Sequence, residues 1–217
     1  MKNVILFDLD GTVIDSTEAI VDSFKNTFKY FNMNIPKEED ILPQIGYPLF
    51  DMFVNLGVNK DEAHKFVDRY REFYKKIYIK KTILLNGAKE AIEMAYNSGA
   101  ILGVVTTKTG KYAIKLLEYF GLMQYFSTLV GSEDVQKHKP DPEPIYLALK
   151  ELNVQKSSNV YMIGDTCMDM IAAKSAGVIG VGVEFKYTQL EELKECSNVI
   201  KSGVFEAVSD ILNKKKD

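Results

Sequence analysis

Residues 4–12 have the sequence VILFDLDGT, in which four apolar residues precede two acidic residues, a glycine and a threonine. A short apolar run without polar alternation is typical of a strand that is buried on both faces of a parallel sheet. Asp8 and Asp10 lie two positions apart, so an extended backbone directs both side chains to the same side. Gly11 indicates that the chain turns away from the strand at this point. The segment therefore predicts a central strand that ends in a pair of carboxylates.

Further along the chain, short apolar runs alternate with segments of helical periodicity. The predicted strands are Ile101–Val105, Val160–Ile163 and Val178–Val183, and the predicted helices are Gly110–Gly121, Pro144–Leu152 and Met168–Ala176. Strands that alternate with helices form a parallel sheet, and right-handed crossovers then place helices on both of its faces. We therefore predict an α/β fold with a doubly wound parallel sheet.

One region departs from this alternation. From Asp15 to about Thr82 the sequence has helical periodicity and no convincing strand. Asp15 with Glu18 three positions later resembles a capping box at the start of the first helix. Apolar residues at helical spacing form two stripes, one of Ile20, Phe24, Phe28 and Phe31, and one of Ala63, Phe66, Val67, Tyr70, Phe73, Tyr74 and Ile77.

The simplest interpretation is that this helical region is inserted after the first strand. The chain is then expected to resume the sheet at Leu85-Asn86-Gly87. The predicted domains are an α/β core of residues 1–14 and 83–217 and an all-helical cap of residues 15–82.

Composition and charge limit the classes of function. The chain has 217 residues, of which 46% are hydrophobic and 26% charged, close to the average for globular proteins. A formal net charge of −3 argues against a nucleic-acid binder, which usually has a basic surface. The apolar run at residues 4–7 is too short for a signal peptide or a membrane span, so we expect a cytoplasmic location. The two cysteines, Cys167 and Cys196, suggest no disulfide framework.

Polar residues follow the predicted strands, and this is where open parallel sheets bind their ligands. The segments are Asp8-Leu9-Asp10-Gly11-Thr12, Thr106-Thr107-Lys108, Lys139-Pro140-Asp141-Pro142 and Gly164-Asp165-Thr166-Cys167-Met168-Asp169. We expect their carboxylates, a hydroxyl pair and a lysine to converge at one edge of the sheet.

These four segments, in this order, resemble the motifs of the haloacid dehalogenase superfamily of phosphohydrolases. Within that superfamily they are similar to the phosphoglycolate phosphatase and phosphoglucomutase branch, which carries a helical cap after the first motif. The resemblance extends from Val4 to Val183, and Asp-x-Asp-Gly-Thr after an apolar strand is specific even alone. It implies a magnesium-dependent reaction through an aspartyl-phosphate, beneath a cap that excludes water and contacts the substrate.

The resemblance also implies a role for individual residues. Asp8 would be the nucleophile, and Asp10 would protonate the leaving alcohol and then take the proton of the attacking water. Thr106 and Lys139 would hold the phosphoryl oxygens. Further phosphate or substrate contacts are expected from Thr12, from Thr107, where many relatives have asparagine, and from Gly46 and Tyr47 in the cap.

The implied magnesium ligands are the Asp8 and Asp165 side chains and the backbone carbonyl of Asp10. Asp169 would support the metal shell or position Lys139. The chemistry requires such a set, because neighbouring carboxylates repel a phosphate unless a hard cation with oxygen ligands neutralises the pocket. A carboxylate nucleophile in turn divides one difficult displacement into two easier steps.

We therefore predict a magnesium-dependent phosphatase that hydrolyses a small phosphomonoester, either phosphoglycolate-like or a sugar phosphate. Its partner would be a small phosphorylated metabolite, with no nucleic acid and no membrane, and the protein would be a monomer or a homodimer. Three alternatives use the same segments: a phosphoglucomutase-type phosphotransferase, a pyrophosphatase, and a non-catalytic regulator that binds phosphorylated ligands.

Overall fold

The computed structural model of the protein describes residues 2–155, 159–188 and 190–214. The chain divides into two compact units, which we call the α/β unit (Met1–Ile14 and Leu84–Asp217) and the helical unit (Asp15–Ile83). The boundary at which the chain returns to the α/β unit lies one residue after the predicted one.

The described residues form eight strands and ten α-helices. The strands are β1 Val4–Phe7, β2 Ile14–Asp15, β3 Ile83–Leu84, β4 Ile101–Val105, β5 Thr128–Val130, β6 Val160–Gly164, β7 Ile179–Val183 and β8 Ile200–Lys201. The helices are α1 Thr17–Tyr30, α2 Glu38–Ile41, α3 Leu49–Asn55, α4 Ala63–Ile77, α5 Ala88–Asn97, α6 Gly110–Tyr119, α7 Glu143–Glu151, α8 Cys167–Ala176, α9 Leu190–Cys196 and α10 Val204–Asn213.

The α/β unit is built on a six-stranded sheet with the order β5-β4-β1-β6-β7-β8, in which all neighbours are parallel. Strand β1 lies in the middle, paired with β4 and β6, and all four of its residues are buried. An apolar run without alternation fits this position because both faces of the strand are covered. The predicted α/β fold with a doubly wound parallel sheet is confirmed.

The sequence prediction missed two strands of the six-stranded sheet and both strands of the small β2–β3 pair, and it misplaced one junction. Strands β5 and β8 are three and two residues long, too short to show an apolar periodicity. The sheet does not resume at residues 85–87, because Gly87 is the N-cap of α5 and the next sheet strand, β4, begins only at Ile101. The glycine has φ +76, a conformation that glycine adopts without strain.

The predicted capping box at Asp15 is also wrong. Helix α1 begins at Thr17 with Ser16 as its N-cap, and Asp15 belongs to the short strand β2. The Asp15 carboxylate instead accepts a hydrogen bond from the Thr17 amide, at 3.0 Å. Asp15, which precedes the N-cap residue Ser16, thus satisfies one amide of the first helical turn.

The two cysteines lie next to each other in the structure, a proximity that the sequence did not predict. Cys167 begins α8 and Cys196 ends α9, and their Cα atoms lie 5.7 Å apart, a spacing common in disulfides. They are 29 positions apart in the chain, and the sequence carries no signal for this proximity.

The helical unit is held together by aromatic side chains. The rings of Phe24 and Phe53 have centroids 4.5 Å apart, Phe28 and Phe66 are 5.8 Å apart, and Phe53 and Tyr70 are 6.0 Å apart. These residues are buried and lie on α1, α3 and α4. Of the helices in the described part of the chain, none is both long enough and apolar enough to cross a bilayer.

The chain leaves the α/β unit and returns to it at neighbouring points. The Leu85 amide donates a hydrogen bond to the Val13 carbonyl at 3.0 Å, and the short strands β2 and β3 pair with each other. Both ends of the inserted segment are therefore fixed beside each other.

The turn after β1 has no room for a side chain at Gly11. This residue has φ +82, and a Cβ atom there would lie 2.3 Å from Oδ2 of Asp165. Gly99 has almost the same conformation, φ +81, but a Cβ atom there would meet nothing within 4 Å. Alanine substitutions at these two glycines can therefore distinguish the cost of a positive φ from the cost of the close contact with Asp165.

We expect Gly99→Ala to lower the free energy of unfolding by about 1 kcal/mol, because alanine is strained at positive φ. Gly11→Ala should lose that amount and a further ~1–3 kcal/mol, because the new methyl group displaces Asp165. Urea denaturation of both variants and the parent protein measures this difference. Equal losses in the two variants would contradict the close packing at Gly11.

Candidate active site

The predicted site segments meet at the carboxyl edge of the sheet. Asp8 directly follows β1, Thr106 follows β4 and Asp165 follows β6, while Lys139 lies in the loop before α7. All four side chains are buried, as is Asp169 in the first turn of α8. Buried ionisable groups require partners, so the contacts among these residues determine what the site can do.

Lys139 lies at the centre of these contacts. Its Nζ atom donates to Asp8 Oδ1 at 2.8 Å, to Asp169 Oδ1 at 2.5 Å and to the Val105 carbonyl at 3.1 Å. An ammonium group has three hydrogens to donate, and these acceptors account for all of them. The lysine therefore connects the ends of β1 and β4 with the start of α8.

Asp169 is fixed from both sides. Its Oδ2 atom accepts hydrogen bonds from the Thr166 amide at 3.1 Å and the Thr166 hydroxyl at 2.6 Å, while Oδ1 faces Lys139. A Cβ atom at Gly164 would lie 2.3 Å from Asp169 Cγ, so only glycine fits there. Of the two predicted roles for Asp169, this geometry favours the positioning of Lys139.

Three carboxylates form a candidate metal site. Asp8, Asp165 and Asp169 each present an oxygen atom within 4.8 Å of the others. Asp165 Oδ1 also accepts a hydrogen bond from the Thr12 hydroxyl at 3.3 Å, which places the predicted phosphate contact Thr12 beside this cluster. Clustered carboxylate oxygens suit a hard divalent cation.

The formal charges of the site agree with such a cation. Its acidic side chains are Asp8, Asp10, Asp165 and Asp169, and its ammonium groups are Lys108 and Lys139. Four negative and two positive charges leave a formal excess of two negative charges, which one divalent cation balances.

Burial and mutual repulsion shift the pKa values within the cluster. Burial raises the pKa of Asp8 to about 7, since the effect of Lys139, which lowers it, is opposed by the charges of Asp169 and Asp10. Burial and the neighbouring carboxylates of Asp8 and Asp169 raise the pKa of Asp165 well above its usual value. Burial would lower the pKa of Lys139, but the charges of Asp169 and Asp8 outweigh it and raise the pKa. Lys139 therefore stays charged at neutral pH.

The second carboxylate after β1 has a lysine of its own, which the sequence analysis did not place in the site. Nζ of Lys108 lies 2.8 Å from Asp10 Oδ2, and both side chains are largely buried. The Thr106 hydroxyl accepts a hydrogen bond from the Lys108 amide at 3.1 Å, which fixes the loop after β4. The only sequence signal for Lys108 was its position two residues after Thr106.

The three remaining residues that were predicted to contact the substrate lie in two different parts of the chain. Thr107 is half-buried in the loop after β4, between Thr106 and Lys108. Gly46 and Tyr47 lie in the helical unit, where Gly46 has φ +108 and precedes helix α3. A substrate contact from any of these three residues stays a prediction.

Replacement of Lys139 by methionine should leave Asp8 and Asp169 buried without their common cation. We expect the free energy of unfolding, measured with a chelator present, to fall by about 3–5 kcal/mol near pH 8. The loss should be smaller near pH 5.5, because a carboxyl with a raised pKa takes up a proton in the folded state before it does so in the unfolded state.

Lys81→Met serves as the control, because Lys81 also contacts two carboxylates, those of Glu18 and Asp22, but its side chain is about one-third exposed. Its effect should be much smaller than that of Lys139→Met. A loss for Lys139→Met that is the same at both pH values would count against the buried cluster.

Comparison with known proteins identifies the family of the chain. Residues 5–183 match the family model of the haloacid dehalogenase-like hydrolases. The pyrophosphatase PpaX of Bacillus velezensis is 34% identical over 209 residues, which cover 96% of this chain and 94% of that protein.

Solved structures give the same result. A protein from Clostridium acetobutylicum described as a predicted phosphatase has a TM-score of 0.89 and 30% identity, with 98% of this chain and 99% of that one covered. A predicted phosphoglycolate phosphatase from Haemophilus somnus has a TM-score of 0.87 and 25% identity, with coverage of 96% and 97%. The chain belongs to the haloacid dehalogenase-like hydrolase family.

Proposed function

We propose that the protein is a magnesium-dependent phosphohydrolase in which Asp8 attacks the phosphorus atom of a small phosphorylated substrate. The observation that carries this proposal is the arrangement around Asp8. Its carboxylate contacts Lys139 at 2.8 Å and shares an acidic cluster with Asp165. A nucleophile, a cation for the phosphoryl oxygens and a candidate metal site thus coincide in one buried place.

The proposed reaction has two steps. The Asp8 carboxylate forms a bond to phosphorus while the bond to the leaving oxygen breaks, and Asp10 supplies a proton to that oxygen. Water then attacks the phosphorus of the aspartyl-phosphate, Asp10 accepts its proton, and inorganic phosphate leaves. Lys139 and Thr106 stabilise the negative charge on the phosphoryl oxygens in both steps.

Magnesium is proposed from the type of donors at the site. Asp8 and Asp165 would hold it through carboxylate oxygens, together with the backbone carbonyl of Asp10. When bound, it would offset the negative charge of the site and polarise the phosphoryl group. Asp169, whose oxygens face Lys139 and Thr166, would support this arrangement without joining it.

The proposed substrate is a small phosphomonoester, with phosphoglycolate-like compounds and sugar phosphates as the first classes to test. A second candidate is inorganic pyrophosphate, which the similarity to pyrophosphatase PpaX over 96% of the chain supports. The helical unit would act as the cap that selects between them, and the protein would work in the cytoplasm.

Asp8→Asn should abolish phosphate release, by at least about 10³-fold, because an amide is a poor nucleophile and no other group replaces it. Phosphate release from a panel of phosphorylated metabolites and from pyrophosphate measures this, with circular dichroism to verify the fold. Asp51→Asn, which changes an exposed carboxylate on α3, is the matched control and should retain full activity. Turnover in Asp8→Asn at the parent rate would falsify the nucleophile assignment.

Magnesium should also stabilise the folded protein. At about 100 times its dissociation constant, a cation that binds only the folded state adds about 2.7 kcal/mol. The rise in melting temperature should be larger near pH 8 than near pH 5.5, because the pKa of Asp8 is about 7 and its bound proton competes with the metal.

Differential scanning fluorimetry with and without magnesium measures this shift. Asp165→Asn should remove most of it and Asp51→Asn should not, because only Asp165 belongs to the acidic cluster. A full shift in Asp165→Asn would contradict the proposed ligand set. Chelation with EDTA should likewise silence phosphate release, and added magnesium should restore it.

A further inference from the structure

Lys108 has no role in the reaction as described so far, although it is one of two ammonium groups in the site. Its Nζ atom lies 2.8 Å from Asp10 Oδ2, and only 7% of its side chain is exposed. Burial of an ammonium group costs free energy unless a nearby charge offsets it. A lysine in this position therefore needs an anionic neighbour, and Asp10 is one.

The loop that carries Lys108 is fixed on both sides. The Lys108 amide donates to Thr106 Oγ1 at 3.1 Å, and the Lys108 carbonyl accepts from the Ser132 amide at 3.0 Å. The next helix begins two residues later, where the Gly110 amide donates to Glu133 Oε2 at 2.9 Å. The ammonium group is thus held at a defined place beside Asp10.

That place is on the leaving-group side of the reaction. In the proposed function, Asp10 reaches the oxygen that departs from phosphorus. A group in contact with Asp10 lies within about 8 Å of that oxygen, since at most two hydrogen bonds and the width of one carboxylate separate them. Lys139, by contrast, contacts the nucleophile Asp8. The two ammonium groups therefore serve opposite ends of the displacement.

We propose that Lys108 selects substrates whose leaving group carries a negative charge of its own, such as a second phosphate or a carboxylate. This inference rests on the proposed function and specifies its substrate class. Pyrophosphate and phosphoglycolate belong to this class, whereas phosphates of uncharged alcohols do not. A fixed cation near the departing atoms stabilises an anion and has little effect on a neutral alcohol.

For pyrophosphate the steps balance without a further reactant. Asp8 forms a bond to one phosphorus atom, the bridging phosphorus–oxygen bond breaks, and its electron pair stays on the departing phosphate beside Lys108. Water then releases the second phosphate from Asp8. One pyrophosphate and one water thus give two phosphates.

Kinetics of Lys108→Met on three substrates test this. The probes are pyrophosphate, 2-phosphoglycolate and the monophosphate of ethylene glycol, whose leaving group resembles glycolate in size but has no charge. We expect kcat/KM to fall roughly 10- to 100-fold for the two charged leaving groups. For the uncharged one it should fall by less than about 3-fold.

Two further variants serve as controls for Lys108→Met. Lys108→Arg keeps the charge and should retain the preference for charged leaving groups. Lys111→Met removes an exposed lysine three residues later, outside the site, and should change none of the three rates. An equal loss on all three probes in Lys108→Met would mean that Lys108 only holds Asp10 or the fold, and would overturn the inference.

A measurement on the parent protein gives an independent result if Lys108→Met does not fold. The parent should hydrolyse the two probes with charged leaving groups with a higher kcat/KM than the uncharged one. A preference for the uncharged probe would overturn the inference and leave the proposed function intact. Failure to hydrolyse any of a broad panel of phosphorylated compounds would overturn the proposed function itself.

Discussion

A single buried ammonium group holds the carboxylates of the site together. Without Lys139, Asp8 and Asp169 would be two like charges in a medium of low polarity, and they would separate or take up protons. The pair itself adds little net stability, since both partners lose their hydration. Its effect is on geometry, because one donor group with three fixed acceptors joins segments that lie far apart in the chain.

The site consequently carries a formal excess of negative charge. Lys139 contacts the first carboxylate after β1, Lys108 contacts the second, and Asp165 accepts a hydrogen bond from the Thr12 hydroxyl. In the proposed function, a divalent cation offsets this excess of negative charge and so allows a phosphate to bind. Recognition of the anion would then depend on binding of the metal.

The sequence predicted those elements that are long enough to show a hydrophobic periodicity or that carry a recognisable motif. Strand β1 and the carboxylates after it were evident, because a buried central strand is apolar throughout and its polar end stands out. Strand β8 and the proximity of Cys167 to Cys196 were not evident. A strand of two residues is too short to show a periodicity, and the sequence does not show which distant cysteines lie close together.

The site, too, was predicted only in part, because some of its contacts depend on loop conformations that the sequence does not show. Residues after strands could be assigned to one edge of the sheet, but Lys108 could not be paired with Asp10 until a loop conformation was known. The dependence of Asp165 on Gly11 was equally hidden, since the sequence shows a turn glycine but not the atom that approaches it.

The hydrogen bond from Leu85 to Val13 brings together the two ends of a 69-residue excursion of the chain (Asp15–Ile83). Any segment whose ends fit this gap can replace another without altering the path of the sheet. The inserted segment and the sheet are therefore encoded in separable stretches of the gene. An insert of a different length or sequence can be accommodated while the strands keep their order.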